Sequence, residues 1–139
     1  IWSEGAIYNM GFEAGVNDWK PFLKPGGVLV ISEITWLGDT RPGEVDSFWS
    51  AEYPEIATAS EKRAVLERAA YRPEASFILP KHCWLDNYYR PVQARFGAFL
   101  ERHGHSEAAR AIVDAENQEI SLYEKYGEHY GYGVYIAFA

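Results

Sequence analysis

The stretch "FLKPGGVLVISE", Phe22 to Glu33, sets the fold class. Pro25 presets its own φ and Gly26 supplies a positive one, so the pair suits the centre of a tight turn that stops the helix before it. Val28-Leu29-Val30-Ile31 has no polar alternation, as in a strand buried on both faces of a parallel sheet. A buried helical turn shares that pattern, and the length and β-branching favour the strand. Ser32 and Glu33 then fall at the carboxyl end of the strand, the edge where open α/β sheets gather their ligand sites.

Upstream, Ile1-Trp2 reads as the last step of an earlier strand and Ser3-Glu4-Gly5 as the loop leaving it. Phe12, Val16, Trp19 and Leu23 recur at spacings of four, three and four and make one apolar helical face, loosened at Pro21. Downstream, Gly38 to Thr40 marks a loop, Pro42 suits a first helical position, and Val45, Phe48 and Trp49 form a short apolar stripe that Pro54 ends. Thr58 and Glu61 have capping-box spacing for a helix running to about Ala70. Ala75 to Leu79 is a strand between Pro73 and Pro80. Trp84 to Tyr126 is helical, interrupted at Arg90-Pro91 and at "RHGHSE", where Ser106 caps the next helix. "YGYGVYIAFA" closes the chain as a strand from about Tyr132 to Phe138.

The 139 residues suffice for one domain with a real core, and 47% apolar and 16% aromatic content is that of a folded chain. A net charge of −7 with no basic run argues against a nucleic-acid partner. No apolar run approaches a membrane span. The single Cys83 forms no internal disulfide and fits a reducing compartment, the cytoplasm by default. The chain opens on "IWSEGAIYNM", mid-pattern, and is expected to be the carboxyl-terminal part of a longer protein.

"LKPGG" leading into "VLVISE" resembles the helix, turn and fifth strand of the class I S-adenosylmethionine-dependent methyltransferases of the small-molecule type. "IWSEGAIYNMGFEAGVNDW" fits that family's fourth-strand loop and helix, "KRAVLERAAYRPEASFIL" its later helix and sixth strand, and "YGYGVYIAFA" its antiparallel seventh. The resemblance implies an α/β fold: the carboxyl-terminal half of a doubly wound, Rossmann-like sheet with its last strand antiparallel and residues 84–126 as a helical insertion over the acceptor. Residues 1–139 then make a partial domain. The glycine-rich turn and the ribose-holding acid through which the family grips its donor are not in the chain, so the cofactor-binding amino-terminal half is expected to lie outside it.

On that resemblance the parent is an enzyme that moves a methyl group from S-adenosylmethionine to a small-molecule acceptor, and the chain alone is inactive. Glu4 and Tyr8 are the expected catalytic pair, Glu4 as base or substrate anchor. Trp2, Ser3 and Gly5 lie nearest the donor, and Glu33 and Trp36 face the acceptor. Glu4 capping a helix start, and Trp36 as a core residue, are the alternatives. An open sheet edge invites self-association. A non-catalytic α/β binding or assembly domain is the rival reading, and another nucleotide-using α/β fold a weaker one. His103 and His105, with His82 and Cys83, lack metal-ligand spacing, so no metal is expected. The tyrosine-rich tail reads as a strand rather than a stacking surface. Cys83 has only adjacent His82 to activate it, and in an extended segment that side chain points elsewhere.

Overall fold

The computed structural model describes residues 1–139, which divide into two compact units, Ile1–Leu79 with Glu128–Ala139, and Pro80–Gly127. The first is a sheet with helices. Its elements are β1 (Trp2–Glu4), α1 (Phe12–Trp19), β2 (Val28–Trp36), α2 (Gly43–Glu52), β3 (Ala57–Thr58), α3 (Ala59–Arg68), β4 (Arg72–Ile78) and β5 (Tyr130–Phe138). The order across the sheet is β1-β2-β5-β4. β1 runs parallel to β2, whereas β5 lies antiparallel between β2 and β4. Because β5 pairs the full length of β2, β1 and the two-residue β3 share the other edge of β2.

The turn that opens the argument is built as its residues dictate. The Gly27 N–H donates to the Lys24 carbonyl at 2.7 Å and Gly26 has φ +71°, the positive value a Pro-Gly turn of type II needs. α1 gives way to a short 3-10 turn at Lys20–Phe22, where Pro21 removes a helical N–H. Thr58 caps α3 through a full capping box with Glu61. Lys20 reaches the far end of α3, donating to the carbonyls of Ala69 and Ala70.

One face of the sheet carries the core. Leu29 and Ile31 of β2 and Tyr135 and Ala137 of β5 pack under Ile7, Phe12, Val16, Leu66 and Tyr71. Each such fully buried aliphatic side chain is worth roughly 1.5–3 kcal/mol. The Tyr71 hydroxyl donates to the Val16 carbonyl at 2.9 Å, so the ring is buried without stranding its polar end.

Two expectations are corrected. β2 continues through Trp36, because Ile34, Thr35 and Trp36 are strand-forming residues that β5 pairs as far as Tyr130. Ser32 and Glu33 therefore lie inside the strand rather than at its end. His82 and Cys83 stand on a short helix, not an extended segment, with Sγ and Nε2 3.7 Å apart.

The second unit is helical: α4 (Lys81–Trp84), α5 (Arg90–Gln93), α6 (Phe96–Arg102) and α7 (Glu107–Tyr126), the last capped by Ser106. Arg90-Pro91 does not break the chain's helical course. A widened π turn, Leu85–Tyr89, precedes α5 and accommodates the proline's missing N–H. Trp84, Tyr89 and Tyr123 stack at centroid distances of 4.6–5.6 Å.

Candidate functional site

β1 covers Val30–Ser32 and β3 covers Thr35–Trp36, which leaves Glu33 and Ile34 facing a gap in the edge of β2. Gly5 to Asn9, leaving β1, forms one side of this gap, and Tyr53 to Ile56, entering β3, forms the other. The gap lies towards the carboxyl end of a parallel strand, where α/β sheets place ligands.

Its floor is buried and charged. Glu33 points to the same face as Ile31 and Thr35 and is 2% exposed, and Lys62 of α3 is 1% exposed. The Lys62 ammonium donates to the Glu55 carbonyl at 3.3 Å and stands 4.4 Å from the Phe12 ring and 5.6 Å from that of Tyr53. The Glu55 carboxylate accepts the Phe12 N–H at 2.7 Å, satisfying the start of α1. Thr35 and Tyr135 pair their hydroxyls at 2.7 Å. Trp49 Nε1 is buried without a hydrogen-bond partner, and Glu33 Oε2 and the Tyr53 hydroxyl lie close enough for the hydroxyl to favour the charged carboxylate although their geometry falls short of a regular hydrogen bond. Such imperfectly paired buried groups are rare in folded proteins.

Burial pushes the Glu33 carboxyl up to about 7, against the pull of the Lys62 ammonium. Burial likewise brings Lys62 down to about 8, with Glu33 and Glu55 opposing. Tyr53 is raised by burial and by the same two carboxylates, and Tyr135 rises to about 12, again mainly through burial.

The rim differs. Register places Trp2 and Glu4 on the face of Ser32, opposite to Glu33. Glu4 accepts the Trp2 indole N–H at 3.0 Å, not backbone N–H groups, so the helix-cap alternative does not describe it. Trp2 is 71% exposed. The Gly5 N–H donates to the Ser32 carbonyl at 3.1 Å and to its hydroxyl at 2.9 Å. Tyr8 is half-exposed and meets the Tyr53 ring edge-on at 6.4 Å. Trp36 is buried on the face of Glu4, against Tyr130 and beneath Arg41.

The structure thus gathers Tyr8 and Glu33 about Tyr53, with Ser3 buried on the same face as Glu33, and sends Trp2, Glu4 and Trp36 to the other face. Tyr53, Glu55 and Lys62 escaped sequence reasoning. The available signal was Lys62, four residues before Leu66 and so on the buried stripe of α3.

No family model matches the chain, and no curated protein does. Solved structures do. YjhP from E. coli is 21% identical with a TM-score of 0.78 over 99% of this chain and 57% of its own. A SAM-dependent methyltransferase from Thiobacillus denitrificans, solved with S-adenosyl-L-homocysteine, is 18% identical with a TM-score of 0.75 over 99% and 56%. The [4+2]-cyclase SpnF is 18% identical with a TM-score of 0.70 over 99% and 47%. The chain spans about half the length of these structures. It has the Rossmann-like α/β fold of the methyltransferases, in the part that carries the antiparallel last strand.

Proposed function

We propose that the protein to which this chain belongs transfers a methyl group from S-adenosylmethionine to a small-molecule O, N or C nucleophile in the cytoplasm. Residues 1–139 are then the carboxyl-terminal part of its catalytic domain, with 84–126 an insertion that serves the acceptor. The observation that carries this reading is the sheet of order β1-β2-β5-β4 with its antiparallel β5, and the buried Glu33, Lys62 and Tyr53 beside the end of β1.

A Cβ on Gly5 would lie 3.1 Å from the Tyr132 hydroxyl, so backbone and ring approach closely there as only glycine allows. When bound, S-adenosylmethionine supplies a methyl carbon on a positive sulfur. Ser3 and Gly5 line its side of the site, Tyr8 stands at the rim where the acceptor enters and Glu33 lies towards the acceptor, whereas Trp2, Glu4 and Trp36 face away from Glu33 across the sheet. The glycine-rich turn and ribose-holding acid are supplied by sequence outside the chain, so residues 1–139 alone neither bind the donor nor methylate, and associate through the open β1 edge.

Titration calorimetry of the full-length protein with the donor, beside the same titration and sedimentation of the 139-residue chain, tests the proposal. Tight donor binding by the monomeric 139-residue chain overturns it. A non-catalytic binding domain is the second reading, favoured by a cavity of about 230 Å³ in the helical unit beside Leu85, Tyr89 and Tyr123. It predicts no donor binding in any length of the protein.

A further inference from the structure

The cavity of about 230 Å³ in the helical unit is built from one end of α7 and from the helical course that runs through α4, the π turn and α5. Its floor is apolar. Tyr89, Ile120 and Tyr123 are at most 3% exposed, and Leu85 is half-buried beside them. The Tyr89 hydroxyl donates to Glu119 at 2.7 Å, so that ring lines the floor with its polar end satisfied. An apolar cavity of about 150 Å³ holds benzene, so this one has room for a ring and a small head group. The π turn is a departure from α geometry of a kind that recurs at functional sites, and here it carries Leu85 and Tyr89 to the floor.

The rim is polar, and its two ends differ. Trp84 packs on Tyr123 and Tyr89 reaches Glu119, so the two segments run antiparallel and Glu124 lies at the Lys81 end of the cavity. There one cation and one anion offset each other. At the other end stand Arg90 and Gln93, three residues apart and hence on one side of α5, where no carboxylate of α7 lines the cavity. Asp86 takes one N–H of the Arg90 guanidinium and leaves the rest of its planar fork. An organic cation would meet a guanidinium at this end, whereas a carboxylate finds a donor that can hold it through two parallel hydrogen bonds.

We propose that this cavity is a binding site for a small aromatic carboxylate, its ring between Leu85, Ile120 and the two tyrosines and its carboxylate held by Arg90 and Gln93. The site lies wholly within residues 80–127 and goes beyond the methyl-transfer reading, since it asks nothing of the donor. Asp86 competes with the ligand for Arg90, so the carboxylate exchanges one ion pair for another and its gain over a neutral head group is modest at this exposed rim.

The test titrates methyl-labelled full-length protein with benzoate, benzamide and benzylamine in turn and follows the Leu85 and Ile120 methyl resonances. Benzoate should move both saturably with a Kd of about 1 mM, as suits so small a ligand. Benzamide keeps the ring and shape without the charge and should bind about five- to tenfold more weakly, and benzylamine more weakly still. Arg90→Met should bring benzoate to the level of benzamide and leave benzamide unchanged. Asp86→Asn frees the guanidinium and removes the competing charge, so it should tighten benzoate by about threefold. Both side chains are exposed, so neither variant threatens the fold. Methyl resonances unmoved by benzoate at about 20 mM, benzylamine bound as tightly as benzoate, or benzoate bound equally by the unaltered protein and Arg90→Met overturns the proposal. Donor titration is a separate measurement: its failure overturns the methyl-transfer reading and leaves this site standing, and the reverse holds.

Discussion

Glu4 pairs in register with Ser32, so Glu4 and Glu33 stand one rung apart on the same ladder. They end in different chemistry. Glu4 lies on the solvent-exposed rim, with water and the Trp2 indole to satisfy its charge. Glu33 points through the sheet to the opposite face, under α1 and α3, where its charge is opposed by desolvation and favoured by the Lys62 ammonium, the Tyr53 hydroxyl and the Ile34 N–H. A shift of one residue along a strand moves a side chain from one face to the other. Position near the strand end therefore does not decide the role of a carboxylate; parity and the helix packed above it do.

The largest expected effect separates the two by turnover. In the full-length protein, Glu33→Gln should lower kcat by about 10²–10³-fold, the loss of a general base, whereas Glu4→Gln should cost less than about tenfold, since a solvated rim charge contributes little. Steady-state kinetics on both variants checks it. Equal losses would erase the distinction and return the proton to Glu4.

The second effect is on stability. Glu33 titrates near 7 in the folded chain against an ordinary value of 4.5, so between those pH values the folded state holds a proton that the unfolded state has released. Stability consequently falls as pH rises from about 4.5 to 7 and stays low above that. Lys62 titrates near 8 against 10.5, so over that interval the unfolded state holds the extra proton and stability climbs with pH. The two flanks meet in a minimum between about pH 7 and 8, each on the order of 3 kcal/mol deep. Urea unfolding across pH 4 to 11 should trace it, and Glu33→Gln should flatten the acid flank while Glu4→Gln leaves both. A flat profile would mean that water reaches Glu33 as freely as Glu4.

The fold was easier to read from sequence than the floor of the site, for physical reasons. Pro25-Gly26 fixes two dihedrals by covalent structure, Thr58 and Glu61 satisfy each other's backbone at a set spacing, and the apolar recurrence of Phe12 and Val16 has one helical explanation. These are local facts. The tail resembled an antiparallel last strand, and β5 does run antiparallel to both its neighbours. The floor is assembled from Glu33, Tyr53, Glu55 and Lys62, brought together by long-range packing, and a lysine among charged neighbours in "SEKRAV" reads as solvated until Leu66 four residues on is seen to share its face. The extension of β2 to Trp36 was hidden because its cause is pairing with Tyr130 to Gly133, a hundred residues away. Only a register could show that Glu4 and Glu33 face apart.

The smallest effect concerns how firmly the rim is held against the sheet, and it compares two glycines with the same backbone demand. Gly5 and Gly26 have φ of +51° and +71°, so an alanine at either costs about 1 kcal/mol of strain. Beyond that they differ. At Gly26 a new Cβ meets nothing within 4 Å, and Gly26→Ala should lose only the strain, as should Gly26→Val within about 1 kcal/mol more. At Gly5 the Cβ would stand 3.1 Å from the Tyr132 hydroxyl and 3.3 Å from its ring, so either the rim or the ring must shift by a few tenths of an ångström. Gly5→Ala should therefore destabilise by about 1 kcal/mol more than Gly26→Ala, a further few degrees in Tm by thermal unfolding. Because the Gly5 N–H is also bound to both oxygens of Ser32, the shift should appear as faster hydrogen exchange at that amide, and at no amide of the Lys24 to Gly27 turn. Equal losses at the two glycines, with Gly5 exchange unchanged, would show that Tyr132 yields and that the rim next to Glu4 is soft, leaving the buried floor as the one rigid part of the crevice.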